Sequence, residues 1–431
     1  MQVSIEAGEG LERRMTVELP SEQLQEAVDK KLQELSGTVR MDGFRPGKVP
    51  MRVIRQRFGR SVRQEVMGDL IQSSFFDAAQ QQNVSPVAMP RIDELDLDAA
   101  RYVAVFEVMP EVTLADMSEV SIKRPQVEIT DADVDKMVEQ LRKQRASWEP
   151  VERPAQDGDQ LLISFTGYIE DEAFEGGSAE DVPLELGSGR MIEGFEAGLL
   201  GASAGDKPSL ELKFPEDYRV EHLAGRDARF EVEVKEVREQ RLPEINETFI
   251  KEFGIESGEM TDFLADIRKS MEFELNKKRK QMIKDQVMNA LAEANPIQVP
   301  EALVERDAEV LKKQTLQDMA RQGQSSALDL PVEIFKDSAR RRVVLGLLVG
   351  EIVQQNQFKP DAERVQQAIE DYTQGYENPR EVIDYYRNNK EARANVESMV
   401  VEDMVTDWVL TQVKVEDETQ TFDAFMNPEK E

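Results

Sequence analysis

Glycine marks out where this chain can and cannot form long helices. Between Leu161 and Val237 it recurs at short intervals, as Gly176-Gly177, Gly187-Ser188-Gly189, Gly205-Asp206 and Gly225. Turn residues at that spacing cut a segment into short strands. Beyond Pro243 glycine becomes scarce, and helical periodicity runs from Phe263 to Ala294, Pro300 to Arg321 and Pro331 to Gln357. Prolines 296, 300, 331 and 360 fall at the breaks, because a residue without an amide donor can begin or end a helix but not continue one. A chain of 431 residues also exceeds what one hydrophobic core organises. The expected fold class is therefore multidomain α+β.

The first region opens with alternation, Met15, Val17 and Leu19 facing one way, after which Ser21 is placed to cap a helix carrying Leu24, Val28, Leu32 and Leu35. Further helices run through Gln82, and the strand-like run Tyr102–Met109 closes at Pro110. This gives an α+β domain over 1–115. A connector follows over 116–150, extended around Val120 to Val127 and then helical after Thr130, with Val134, Met137, Val138 and Leu141 on one side. It is expected to pack with the helical domain or extend from it. The β-rich domain spans 151–240 and the helical domain 241–415. The stretch 416–431 is acidic and weakly patterned, and is expected to be an unstructured tail.

Composition excludes several chemistries. There is no cysteine, hence no disulfide, thiolate metal site or cysteine nucleophile. The single histidine, His222, leaves little from which to build a histidine metal site or a serine–histidine triad. No Walker-type phosphate loop is present; no cofactor and no metal are expected. The start of the chain lacks a basic stretch followed by an apolar run, and no segment has the unbroken apolar length that spans a bilayer. A soluble cytoplasmic protein with no membrane partner is the expectation.

Against a formal net charge of -32, residues 40–63 reverse the sign. Arg40, Arg45, Lys48, Arg52, Arg55, Arg57, Arg60 and Arg63 face a single acid, Asp42. Such a segment attracts an anionic surface that the rest of the molecule repels. Within it, Gly43-Phe44-Arg45-Pro46-Gly47-Lys48-Val49-Pro50 can be neither continuous helix nor strand, so it turns and exposes Phe44 and Arg45. Taken alone, a short basic turn is most simply a solvated loop. Clustered cations beside an exposed aromatic side chain favour binding to nucleic acid or ribonucleoprotein.

Those eight residues match the Gly-Phe-Arg-x-Gly-Lys-x-Pro signature of the trigger factor family, bacterial ribosome-associated chaperones, with Pro46 and Val49 at the variable places. The resemblance covers essentially the whole chain. It implies ribosome docking through Gly43, Phe44, Arg45, Gly47 and Lys48, beside the polypeptide exit tunnel, against ribosomal protein and rRNA. Some relatives carry a further cation where this chain has Pro46.

The middle region resembles the FKBP family of peptidyl-prolyl isomerases. The landmarks run in order from Gly158-Asp159 and Phe165-Thr166-Gly167 through Phe174-Glu175-Gly176, Leu184–Gly189 and Met191–Phe195 to Phe214-Pro215, Tyr218 and Phe230-Glu231-Val232. The family implies an antiparallel sheet wrapped on a short helix, with an apolar pocket between them. Rotation about an amide costs about 18–20 kcal/mol through lost resonance, and no bond need break, so no nucleophile is required. A twisted amide is less charge-separated than a planar one, and a pocket that strips water from it favours the twisted state. Phe165, Phe174, Met191, Ile192, Phe195, Tyr218 and Phe230 are expected to line that pocket, with Glu175 orienting the substrate backbone. The plainer reading makes these aromatics the core of a small β domain, and several do both. Phe165 stands where many relatives have Tyr and Phe195 where many have Trp; the pocket stays apolar, though macrolide binding need not carry over. His222 falls in the loop after Tyr218, where a surface role is the simpler one.

In the helical third, Phe263, Leu264, Ile267, Met271, Met282, Val287, Met288 and Leu291 form apolar stripes. Most are expected to be buried between helices. Any Met-bearing face left exposed can adapt to many apolar partners. The trigger factor resemblance, supported here by Leu242-Pro243-Glu244 and Phe249–Gly254, implies helical arms that shelter nascent and unfolded polypeptides. The expected function is a ribosome-associated chaperone that isomerises X-Pro bonds, and the sequence leaves open whether the free protein is a homodimer. One alternative is a stand-alone isomerase whose helices only dimerise it or recruit partners. Another is an RNA-binding protein that uses the basic segment directly, which the acidity of everything else disfavours.

Overall fold

The computed structural model describes every residue except 40, 42–43, 45–48, 171, 219, 221–222, 322–329, 374–377 and 429–431, and for Glu175 the backbone alone. The chain begins with β1 (Gln2–Ala7), β2 (Glu12–Glu18), α1 (Ser21–Thr38), α2 (Met51–Gln81), β3 (Arg91–Asp96) and β4 (Arg101–Glu107). The strands make an antiparallel sheet in the order β1-β2-β4-β3. Met15, Val17 and Leu19 share a core with Leu24, Val28 and Leu32 of α1 and with Ile54, Val66 and Phe75 of α2. Tyr102 to Phe106 are all buried, so β4 reads as a continuous apolar run rather than an alternation. The hydroxyls of Ser74 and Tyr102, 2.9 Å apart, satisfy each other inside that core. Pro20, not Ser21, occupies the cap position of α1, and no side chain caps that end. The ring of Pro20 presets the backbone for the first turn, so the helix starts one residue earlier than the hydroxyl suggested.

Next come β5 (Ser121–Val127), α3 (Asp131–Gln144), β6 (Ser147–Pro150), β7 (Gln160–Ile169), β8 (Glu172–Glu185), β9 (Ser209–Lys213) and β10 (Asp227–Arg241). β6 to β10 form one antiparallel sheet, ordered β6-β10-β7-β8 with β9 also on β10. The long β10 is its spine: alternate residues Ala228, Phe230, Val232 and Val234 are buried. The short helix expected on this sheet is a single 3-10 turn, Ala197–Leu199. Glycines at 194, 198 and 201 surround it, and their conformational freedom opposes further helix.

The remaining elements are α4 (Glu247–Lys251), α5 (Met260–Ala294), α6 (Glu301–Arg321), α7 (Lys336–Asn356), α8 (Ala362–Thr373), α9 (Pro379–Asn388), α10 (Lys390–Leu410), β11 (Lys414–Gln420) and α11 (Phe422–Met426). Two compact units result. One holds Met1–Arg124 with Lys280–Glu418, the other Pro125–Arg279 with Thr419–Glu431.

In the first unit, Val287 and Leu291 of α5 pack with Ile122, with Leu348 and Ile352 of α7 and with Val405 and Val409 of α10. Val304 and Ala308 of α6 meet Ala339 of α7. Glu107, at the end of β4, accepts hydrogen bonds from the amides of Glu301 and Ala302, both at 2.9 Å. Its carboxylate thereby satisfies donors that the first turn of α6 leaves unpaired, at the positive end of the helix dipole. In the second unit, Val134 and Val138 of α3 pack with Phe249, Phe263, Ile267 and Met271. Thr130 and Asp133 form a capping box that starts α3.

The unstructured tail expected after residue 416 is corrected. β11 pairs with β5, Arg124 forms a two-point ion pair with Asp417, and Thr421 caps α11. Phe425 is buried, with Phe422 and Met426 packed against the same cluster as α3 and α5. Glu416, Asp417 and Asp423 are exposed, and three apolar residues suffice to anchor five residues of helix. Among the described residues no helix is long and apolar enough to cross a membrane.

Candidate functional site

An aromatic cavity of about 350 Å³ opens on the β6–β10 sheet. β7 contributes Phe165, β8 contributes Phe174 and β10 contributes Phe230, while the loop before the 3-10 turn supplies Met191, Ile192 and Phe195. Phe214 and Tyr218 follow β9. Phe230 is the hub. Its ring centroid lies 5.4 Å from that of Phe195, 6.0 Å from Phe174, 6.2 Å from Phe214 and 6.3 Å from Phe165. The pairs with Phe195 and Phe174 are edge-to-face, the arrangement that aligns positive ring edges with negative faces.

Two glycines make room for these rings. A Cβ on Gly167 would come within 2.6 Å of Phe174 and 2.7 Å of Phe230, and one on Gly177 within 2.5 Å of Phe174. The Phe174 ring therefore lies against bare backbone on β7 and β8, a position that no larger residue at 167 or 177 permits.

The loop carrying Met191 is held by Glu196. Its carboxylate accepts from the amides of Gly187 (2.9 Å), Gly189 (3.1 Å), Arg190 (3.0 Å) and Met191 (3.3 Å), and from the Ser188 hydroxyl (3.2 Å). Burial is the largest single influence on this carboxyl and opposes ionisation, but the amides of Gly189, Met191 and Gly187 with the Ser188 hydroxyl together outweigh it and hold the pKa below its ordinary value. Immediately before β7, buried Asp159 is gripped by both terminal guanidinium nitrogens of Arg153, at 2.5 and 2.9 Å, and by the Gln156 amide at 2.8 Å. Here too burial raises the pKa and is outweighed, by Arg153 and the Gln156 amide, so the net shift is downward.

Seven of the pocket residues singled out in the sequence, Phe165, Phe174, Met191, Ile192, Phe195, Tyr218 and Phe230, line this one cavity. The side chain of Glu175 lies outside the described residues, as does His222. Among the described lining residues Tyr218 alone carries a hydroxyl. The sequence reading did not place Phe214, Arg190 or Glu193 in the lining. Phe214 could have been found from the alternation Leu210, Leu212, Phe214 along β9 and beyond it. Glu196 had a weaker signal, an acid close after a Gly-Ser-Gly turn.

Of the residues expected to dock, Phe44 is described, and Gly43, Arg45, Gly47 and Lys48 lie outside the described residues. Phe44 is 40% exposed and its amide bonds the Met41 carbonyl at 3.1 Å. On either side Val49 is buried in the first core, and Val39 and Met41 pack against it. Apolar anchors on both flanks therefore leave one aromatic side chain pointing outward. Beside it α2 begins with its run of arginines.

Comparison with known proteins agrees with this layout. A family model described as "Bacterial trigger factor protein (TF)" matches residues 1–141, and one described as "Bacterial trigger factor protein (TF) C-terminus" matches 259–411. Between them, "FKBP-type peptidyl-prolyl cis-trans isomerase" matches 151–235. The trigger factor of Thioalkalivibrio sulfidiphilus is 46% identical over 434 residues, covering 100% of this chain and 99% of its own. That of Cellvibrio japonicus is 46% identical over 428 residues and 98% of each chain, and that of Teredinibacter turnerae is 44% identical over 435 residues, covering 100% of this chain and 99% of its own. The expectation of a chaperone with a ribosome-binding first domain and an isomerase domain holds. The stand-alone isomerase alternative loses its ground, since both flanking regions match trigger factor models. The chain belongs to the bacterial trigger factor family and carries that family's FKBP-type peptidyl-prolyl cis-trans isomerase domain.

Proposed function

We propose that this chaperone docks beside the polypeptide exit tunnel, on ribosomal protein and rRNA, with Phe44 as the apolar contact and Gly43, Arg45, Gly47 and Lys48 around it. It works in the cytoplasm. The division of labour follows 1–115 for docking, 116–150 as connector, 151–240 for isomerisation and 241–415 for sheltering clients. Exposed Met282, Val310, Ile334 and Met399 in the helical region supply apolar surface for nascent and unfolded chains. Off the ribosome the same surface pairs two copies of the chain.

The observation that carries the enzymatic part is the aromatic cavity. A proline ring enters between Phe165, Phe174 and Phe230, and Phe195 floors the pocket. The X-Pro carbonyl loses water there, which raises the planar, charge-separated amide more than the twisted one. Tyr218 offers its hydroxyl, and Glu175 is assigned the substrate backbone. No proton moves and no covalent bond is made or broken.

The test is a pair of variants at the half-buried mouth, Met191→Ala and Ile192→Ala, assayed for isomerisation of a short X-Pro peptide and for ribosome binding. The expected result is a rate at least roughly tenfold lower, equivalent to about 1.4 kcal/mol of transition-state stabilisation, with ribosome binding unchanged. An unchanged isomerisation rate in both variants contradicts the site.

A further inference from the structure

The first turns of α2 carry Arg52, Arg55, Arg57, Arg60 and Arg63 with no acid between residues 51 and 63. The structure sorts these five into two groups. Arg55 donates to the Asp29 carboxylate at 2.6 Å, and Arg63 donates to the Leu97 carbonyl at 2.9 Å. Both are used inside the domain. Arg52, Arg57 and Arg60 are exposed and, among the described residues, form no ion pair or hydrogen bond.

Their placement is not scattered. At 3.6 residues per turn the three fall within an arc of about 140°, centred roughly opposite the arc of Ile54, Phe58 and Val62, and they span about 12 Å along the axis. Ile54 and Val62 are buried and Phe58 packs on the same core, so the three exposed arginines lie away from it, with half-buried Val53 and Arg63 falling inside the same arc. Exposed Gln56 and Gln64 share it. Like charges one turn apart destabilise a helix. In a chain with 86 acids to 54 bases, a face of uncompensated cations suits a partner that supplies the anions.

We infer that Arg52, Arg57 and Arg60 form a second docking surface that binds the phosphate backbone of rRNA, separate from the Phe44 loop. This rests on the ribosome-docking reading above. Guanidinium groups suit phosphate because their planar donors pair with two oxygens at once. A ridge of cations flanked by amide side chains and without an aromatic group tracks a backbone rather than reading bases. Phe44 supplies an apolar contact, and the helix adds three cations to those of the loop, which increases the dependence of binding on salt.

The experiment titrates ribosomes with the full-length chain across a salt series. It compares wild type, Arg52→Gln/Arg57→Gln/Arg60→Gln, the corresponding triple Lys variant, and Phe44→Ala. Each phosphate contact contributes about 0.7–0.9 to the slope of log affinity against log salt. The Gln variant is expected to lose about 2.1–2.7 units of slope, so that from 50 to 200 mM salt its affinity falls about 20- to 40-fold less than that of wild type. The Lys variant keeps the charge and is expected to keep most of the slope, while Phe44→Ala weakens binding at every salt concentration without altering the slope. A photoreactive residue replacing Gln56 is expected to crosslink to rRNA. An unchanged slope in the Gln variant overturns the inference, as does crosslinking to ribosomal protein alone; in both cases loss of binding by Phe44→Ala still upholds the docking reading. Wild type that fails to bind ribosomes at any salt overturns both together.

Discussion

The rings of Phe195 and Phe230 meet edge to face, with centroids 5.4 Å apart and planes at 79°. Both residues are buried, so the contact that shapes the pocket floor is also the centre of the domain's core. Phe230→Ala is expected to destabilise the isomerase domain by about 3–5 kcal/mol through lost burial and a residual cavity. Phe230→Leu keeps most of the volume and loses the ring pairs, about 0.5–1.5 kcal/mol each at most. Urea unfolding followed by a signal from this domain checks both; a cost below about 1 kcal/mol for the alanine variant contradicts a shared core and pocket.

Glu196 holds the loop that presents Met191. Glu196→Gln replaces one acceptor oxygen by an NH2 group facing the amides it should bind. A loss of about 1.5–3 kcal/mol is expected, the range for hydrogen bonds to a charged group, together with slower isomerisation. Hydrogen exchange at Gly189 and Met191 should quicken in the variant. Unaltered exchange there contradicts the role assigned to Glu196.

Asp159 and Glu196 both have carboxyls held below their ordinary pKa in the folded state. A group whose folded pKa is depressed stabilises the fold above its unfolded pKa, and that stabilisation fades as pH falls through the folded value. The isomerase domain should therefore be insensitive to pH from 7 to about 5 and lose stability below about 4. In Asp159→Asn, whose stability at neutral pH is expected to drop by about 1–3 kcal/mol, the acid-side loss should be shallower. Thermal unfolding of wild type and variant across that pH range measures it, and parallel curves contradict the assignment.

Glu107 caps α6 from a residue far away in the chain. Glu107→Ala removes the acceptor for the Glu301 and Ala302 amides and should cost about 1 kcal/mol, as lost helix caps do. The effect should appear in unfolding of the first unit, with isomerase activity untouched. No change in that transition contradicts the cap.

Much of this architecture is legible because periodicity records burial. Met15, Val17 and Leu19 alternate, and Leu24, Val28 and Leu32 repeat every fourth residue, for the single reason that one face of each element enters the core. The pocket aromatics are legible through the order of the landmarks around them. What escaped the sequence depends on partners distant in the chain or on single residues. The tail folds because Phe425 finds α3 and α5, and no local pattern reveals that. Pro20 displaces Ser21 from the cap by stereochemistry that outweighs a hydroxyl. Glu196 acts by gathering the amides of Gly187, Gly189, Arg190 and Met191 and the Ser188 hydroxyl, a convergence visible only in three dimensions.

The most direct test of the central claim, a family chaperone that docks through the loop at Phe44, is co-sedimentation of the intact chain with ribosomes beside Phe44→Ala/Arg45→Ala/Lys48→Ala at low and moderate salt. Wild type should pellet with ribosomes and the triple variant should remain in the supernatant while isomerising an X-Pro peptide at the wild-type rate. Equal pelleting of the two proteins contradicts the claim.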